Sequence, residues 1–175
     1  MNWLRILPMP ESEPQRTVIV NATPIISLVL IGQLELLRLL YGKILIPPAV
    51  QTEVLTGGVK NIGVVELQKS NWIQFVPLQD PRRADLLSDL DRGEAEVIAL
   101  AQELNADLII IDERLARRHA KRLGLTLTGT LGVLLRAKEK GFVPAVKPLV
   151  YSLQQNGIWL GEAVVAEVLK LAGED

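Results

Sequence analysis

The chain has 175 residues, 49% hydrophobic and 22% charged, with no cysteine, one histidine and a formal net charge of −1. So apolar a chain can bury a sizeable core, which argues against disorder and for one compact domain. The balance excludes a disulfide framework, thiolate chemistry, a cysteine zinc site and a global basic field that would recruit nucleic acid.

Residues 1–16 are rich in proline and lack periodicity, so they read as an N-terminal arm ahead of a single domain spanning 17–175. Pro8, Pro10 and Pro14 break the start too often for a signal peptide. No apolar run reaches the ~18 residues needed to cross a bilayer, so the expectation is a soluble cytoplasmic protein without a membrane partner. Val18–Val20 is a short β-branched run that favours a strand. Thr23-Pro24 reads as a hydroxyl N-cap followed by proline at the first helical position, with helix to about Leu40 interrupted near Gly32. Lys43–Ile46 is a second strand, stopped by Pro47-Pro48, and Ala49–Leu55 a helix ending at Gly57-Gly58.

Residues 59–71 fit no single pattern. Trp72–Val76 reads as a strand, Asp80–Leu90 as a helix start and turn region, and Gly93–Leu104 as a helix with an apolar face. Asp107–Ile111 is a buried strand, Arg114–Leu123 a helix and Leu125–Thr128 a strand. Gly129-Thr130 opens another helix, where weak anion binding is conceivable. Two further helices are expected over Val146–Asn156 and Gly161–Ala172. Short continuously apolar strands alternating with helices indicate an α/β sandwich with a mostly parallel central sheet. Ligands of such sheets bind beyond the carboxyl ends of the strands.

Polar residues at those ends are therefore the first candidates. Asn21 follows the first strand, and Asp112-Glu113 follows Leu108–Ile111. Glu94 lies in the first turn of its helix, and Glu53 on a helix after a strand. Singly, each has a bland reading: turn amide, helix cap, macrodipole partner or solvated acid. Together, one amide and three carboxylates could not cluster unpaired, because like charges disfavour one another. Magnesium or manganese would resolve the conflict, being hard cations that take oxygen ligands.

At this point the chain resembles the PIN-domain family of metal-dependent ribonucleases, which includes the toxins of bacterial toxin–antitoxin pairs. The residues that carry the resemblance are VIVNATP at 18–24, ILIPPAVQTEVL at 44–55, GEAEVIALA at 93–101 and LIIIDERLARRHAKRLGL at 108–125. LTGTLGVL at 127–134 resembles a PIN-like subfamily. The resemblance implies an α/β/α, Rossmann-like sandwich and a Mg2+ or Mn2+ site of Asn21, Glu53, Glu94 and Asp112. Thr23 would help hold the ion or its water, and Glu113 would substitute for Asp112 if the register shifts by one. It also implies RNA as substrate, an antitoxin protein as partner and a homodimer. The chain departs from the family at Asn21, where aspartate is expected. Two readings follow: a PIN-type ribonuclease, or a PIN-like module that binds RNA or a protein without cutting.

Arg114, Arg117, Arg118, Lys121 and Arg122 recur at i, i+3, i+4, i+7 and i+8, one helical stripe. They are candidates for binding nucleic-acid phosphates, against the plain reading of a solvated helix face. His119 falls on the opposite side and reads as a packed core residue. The aromatics are few and scattered along the chain, so the sequence offers no base-stacking platform. Neither a P-loop nor a G-x-G-x-x-G fingerprint occurs, which argues against a nucleotide cofactor.

Overall fold

A computed structural model describes residues 15–56 and 63–175. The expected arm and the Gly57-Gly58 helix stop therefore lie largely outside the described residues. Among the described residues five strands form one sheet: β1 (Val18–Val20), β2 (Ile44–Ile46), β3 (Ile73–Phe75), β4 (Leu108–Ile110) and β5 (Leu127–Thr128). Every pairing is parallel and the order is β3-β2-β1-β4-β5. Val18, Ile19 and Val20 are all fully buried. A strand buried on both faces needs helices on both, which is why its sequence is continuously apolar rather than alternating.

Ten helices flank the sheet among the described residues: α1 (Ala22–Leu30), α2 (Glu35–Tyr41), α3 (Pro48–Thr56), α4 (Val64–Lys69), α5 (Arg82–Asp85), α6 (Arg92–Glu103), α7 (Arg114–Arg122), α8 (Thr130–Glu139), α9 (Lys147–Gln155) and α10 (Glu162–Ala172). Helix α3 packs on α1 and α6, while α2 and α10 pack on α8. This is the expected α/β/α sandwich. Part of the stretch without a sequence pattern is α4, and the turn region at 80–90 contains only the single turn of α5. No single helix among the described residues is long and apolar enough to cross a membrane. The apolar pair α1 and α2 is bent by 119°.

Two local readings change. Helix α1 starts two residues early, with Asn21 in extended conformation at the N-cap and Thr23 inside the first turn. Pro24 still falls in that turn, where its missing N–H costs nothing. His119 is not a core residue: its side chain is 20% exposed and its Nε2 lies 2.9 Å from Asp89 Oδ2. The ring sits where α7 meets the loop before α6, so one edge packs and the other reaches an acid.

The strand order places the site. The chain leaves β1 toward β2 on one side, and later crosses back to add β4 on the other. Such a reversal opens a crevice beyond the carboxyl ends of β1 and β4. Asn21 and the Asp112-Glu113 pair stand at those two ends, and the Asn21 N–H continues the ladder by donating to Ile110 O at 2.9 Å.

Candidate functional site

Asn21 is only 2% exposed. Its Nδ2 donates to Glu113 Oε2 at 3.2 Å. Its Oδ1 is buried and has no hydrogen-bond partner among the described residues. A buried oxygen without a donor is costly, on the order of 1–3 kcal/mol, unless something else meets it. The Thr23 hydroxyl donates to the other oxygen of Glu113. One carboxylate at the end of β4 thus gathers both polar groups at the end of β1.

The second arm of the site is the start of α6. Asp91 is its N-cap, and the cap is reciprocal. The Glu94 N–H donates to Asp91 Oδ1 at 2.8 Å, and the Asp91 N–H donates to Glu94 Oε2 at 3.3 Å. Between them Gly93 leaves a gap. A Cβ there would lie 2.9 Å from Glu53 Oε2 and 3.4 Å from both Asn21 Oδ1 and Asp91 Oδ1. The missing side chain lets oxygens from three elements share one small space. The third arm is α3, which carries Glu53.

The electrostatics follow from that proximity. Burial, then Asp91 and Glu113, push the Glu53 pKa up. Burial, followed by Asp91 and Glu113, raises Glu94 to about 7, with the Asp91 N–H pulling the other way and Glu53 adding a smaller push. These carboxylates repel one another, and none of them is paired with a cation among the described residues. Arg92 does not supply one: it pairs with Glu96 and Asp85. Glu96 points away from the cluster and accepts from the Ala49 N–H at 2.9 Å, holding α3 against α6.

Asp112 is not in this cluster. Its carboxylate turns to the start of α8, accepting from the Thr130 N–H at 2.8 Å and the Thr130 hydroxyl at 2.6 Å. Burial pushes its pKa up, opposed by those two bonds. Gly129 makes room, since a Cβ there would lie 2.5 Å from Asp112 Oδ1. Gly132 does the same for the Thr128 hydroxyl. The LTGTLG turn is thus a socket for Asp112, which fills the helix N-terminus where an anion was conceivable. The strand-end acid that faces Asn21, Glu53 and Glu94 is Glu113. Adjacent residues of an extended chain point to opposite sides, so one position decides which acid enters the site.

Asp91 and Gly93 escaped the sequence reading. The Asp-x-x-Glu spacing of a capping box was the signal available for Asp91. Nothing local marks Gly93, whose role depends on α3.

All donors here are hard oxygens, and the unpartnered Asn21 Oδ1 lies among them. The set fits Mg2+ or Mn2+, which are commonly held by one or two carboxylates with water completing the shell. Among the described residues no three His, Cys, Asp or Glu side chains stand together as a ready-made metal group. The fit therefore depends on the amide oxygen and on water.

Of the cationic stripe, Arg114, Arg117, Arg118 and Lys121 line a cavity of about 800 Å3 beside the site. Arg117 is half-buried and donates to Ile111 O at 2.8 Å. Arg122 is exposed and lies toward Asp89 rather than the cavity.

A family model described as a PIN domain (DUF3368) matches residues 17–174. A comparison with curated proteins finds no match. PIN domains are nuclease-like and generally depend on a divalent metal. The all-parallel sheet, the acidic crevice at its reversal point and a match over nearly the whole chain agree: this protein belongs to the PIN-domain family.

Proposed function

We propose that the protein is a PIN-type, Mg2+- or Mn2+-dependent ribonuclease that hydrolyses RNA phosphodiesters. The observation that carries the reading is the buried Asn21 Oδ1, without a partner, set among mutually repelling carboxylates at the crevice of the sheet. Asn21 Oδ1, with one or two of Glu53, Glu94 and Glu113 and with water completing the shell, would hold the ion, and Asp91 would fix Glu94. When bound, such an ion neutralises charge developing on the phosphate and lowers the pKa of bound water. The chain's own part is positioning. Glu113 holds the Thr23 hydroxyl and the Asn21 amide at fixed points. Arg114, Arg118 and Lys121 supply positive charge along the cavity wall for the RNA backbone. Asp112 and Arg117 brace the floor of that cavity. The reading includes a cytoplasmic setting as the toxin of a toxin–antitoxin pair. It also includes a homodimer, for which the exposed Leu171 of α10 offers apolar surface.

One observation favours a second reading. The Asn21 amide donates to Glu113 where an aspartate would bring a further charge. A site lacking that charge would bind RNA or a protein partner without cutting. The test is incubation of single-stranded RNA with Mn2+ or Mg2+. The ribonuclease reading expects cleavage that falls at least ~100-fold in Glu94→Gln and Glu113→Gln. Cleavage by Asn21→Asp but not by the native chain selects the second reading. No cleavage by either defeats the nuclease assignment.

A further inference from the structure

The cavity beside the acidic cluster has walls of two chemistries. Arg114, Arg118 and Lys121 of α7 form one, all three exposed. Trp159 and Leu160, from the loop before α10, belong to the other. Trp159 is 87% exposed, more than any other large apolar residue among the described residues. Its ring lies close over Gly161, 3.6 Å from where a Cβ of that residue would be. An indole left in water beside three cations forgoes the burial that stabilises such a side chain elsewhere. The fold brings it there from some forty residues along the chain, which is why the sequence shows only scattered aromatics.

A second feature points to a ligand. Ser27 on α1 is 1% exposed, lines the same cavity, and its hydroxyl has no hydrogen-bond partner among the described residues. Thr23, one turn earlier, also lines the cavity and is bonded to Glu113. The cavity therefore combines an aromatic ring, a row of cations and the Ser27 hydroxyl, and it reaches Thr23, which is bonded to Glu113 of the acidic crevice. Its volume of about 800 Å3 is within the range that encloses small ligands. A flat aromatic face next to a row of cations is how proteins hold single-stranded nucleic acid, base on ring and backbone on charge.

We propose that this cavity is a subsite for one nucleotide of a single-stranded nucleic acid. Trp159 stacks on the base, Arg114, Arg118 and Lys121 hold the flanking phosphates, and the Ser27 hydroxyl pairs with the sugar or base edge. The strand then leads past Thr23 toward Glu113. The inference extends the ribonuclease reading by naming a residue that selects unpaired bases, and it is testable without cleavage.

The experiment is fluorescence anisotropy with labelled RNA oligonucleotides in EDTA, so that no strand is cut. Trp159→Ala should weaken binding of a single strand by about 5- to 150-fold, the range of one lost base–aromatic stack. Trp159→Phe should keep affinity within about threefold. An oligonucleotide with abasic sugars should bind native protein and Trp159→Ala alike, and oligonucleotide binding should quench native tryptophan fluorescence more than that of Trp159→Phe. Unchanged affinity in Trp159→Ala overturns the proposal and leaves the indole as a contact for a protein. An equal loss with abasic and intact strands also overturns it, because the ring then shapes the cavity without stacking. So does a native chain that binds no single strand. Cleavage independent of Trp159 would defeat this inference alone. Binding that depends on Trp159, with no cleavage in any metal, would defeat the ribonuclease reading alone.

Discussion

Asn21 is the residue on which the site turns. With an amide there, Glu113 receives a hydrogen bond at 3.2 Å. With an aspartate, two carboxylates would face each other at that distance, and one would have to take a proton or recruit a cation. Asn21→Asp is therefore expected to lower the stability of the metal-free protein at neutral pH by about 1–3 kcal/mol. Millimolar Mn2+ should restore it. Thermal melts of both proteins with and without Mn2+ check this. A variant as stable as the native chain without metal would mean that Asn21 and Glu113 do not interact as described. The sequence marked Asn21 as anomalous, but only the fold shows what its amide does. The choice between Asp112 and Glu113 was open for a similar reason. Both end the same strand, and only the partner across the crevice distinguishes them.

Individual elements explain why Asp112 belongs to the frame rather than the cluster. Helix α8 begins at Thr130 without a side-chain cap of its own, because Gly129 precedes it. Asp112 supplies the missing acceptor from β4, tying that strand end to the helix. Asp112→Ala should cost about 1–2 kcal/mol, as a lost helix cap does, read from urea unfolding. A loss below about 0.3 kcal/mol would contradict the role. Glu174 does comparable service at the far end. Its carboxylate accepts from Lys138 Nζ at 2.7 Å and from the Val146 and Lys147 N–H groups at 2.7 and 2.8 Å, joining the end of α10 to α8 and the start of α9. Lys138, then the Val146 N–H, lower its pKa from 4.5 to about 2. A carboxylate whose folded pKa is depressed binds protons more readily when unfolded. Its contribution is thus complete above pH ~4.5 and is lost as pH falls toward 2. Glu174→Gln should flatten the stability profile between those values, seen in melts from pH 2 to 6. An unchanged slope would refute the bond set.

At the scale of the molecule, the sequence made the fold legible wherever burial was uniform. Val18–Val20, Ile44–Ile46 and Leu108–Ile110 are apolar at every position, because each lies in a sheet covered on both faces. Alternation with helices then required parallel pairing. What remained hidden depends on contacts between distant segments. Gly93 matters because Glu53 reaches it from α3, and Trp159 because its loop lines the same cavity as α7. Neither relation has a local pattern. The same distinction explains the cationic stripe. Spacing put five residues on one face, but the cavity takes only part of it, leaving Arg122 outside and fixing Arg117 to the backbone.

The central claim of the proposed function is that a divalent ion binds in the crevice of Asn21, Glu53, Glu94 and Glu113, and not at Asp112. Calorimetric titration with Mn2+ of the native protein, Glu113→Gln and Asp112→Asn tests it most directly. The account predicts one Mn2+ bound by the native chain, at least tenfold weaker binding in Glu113→Gln, and near-native affinity in Asp112→Asn, which retains an acceptor for Thr130. Absence of binding to the native chain, or a loss confined to Asp112→Asn, would contradict it.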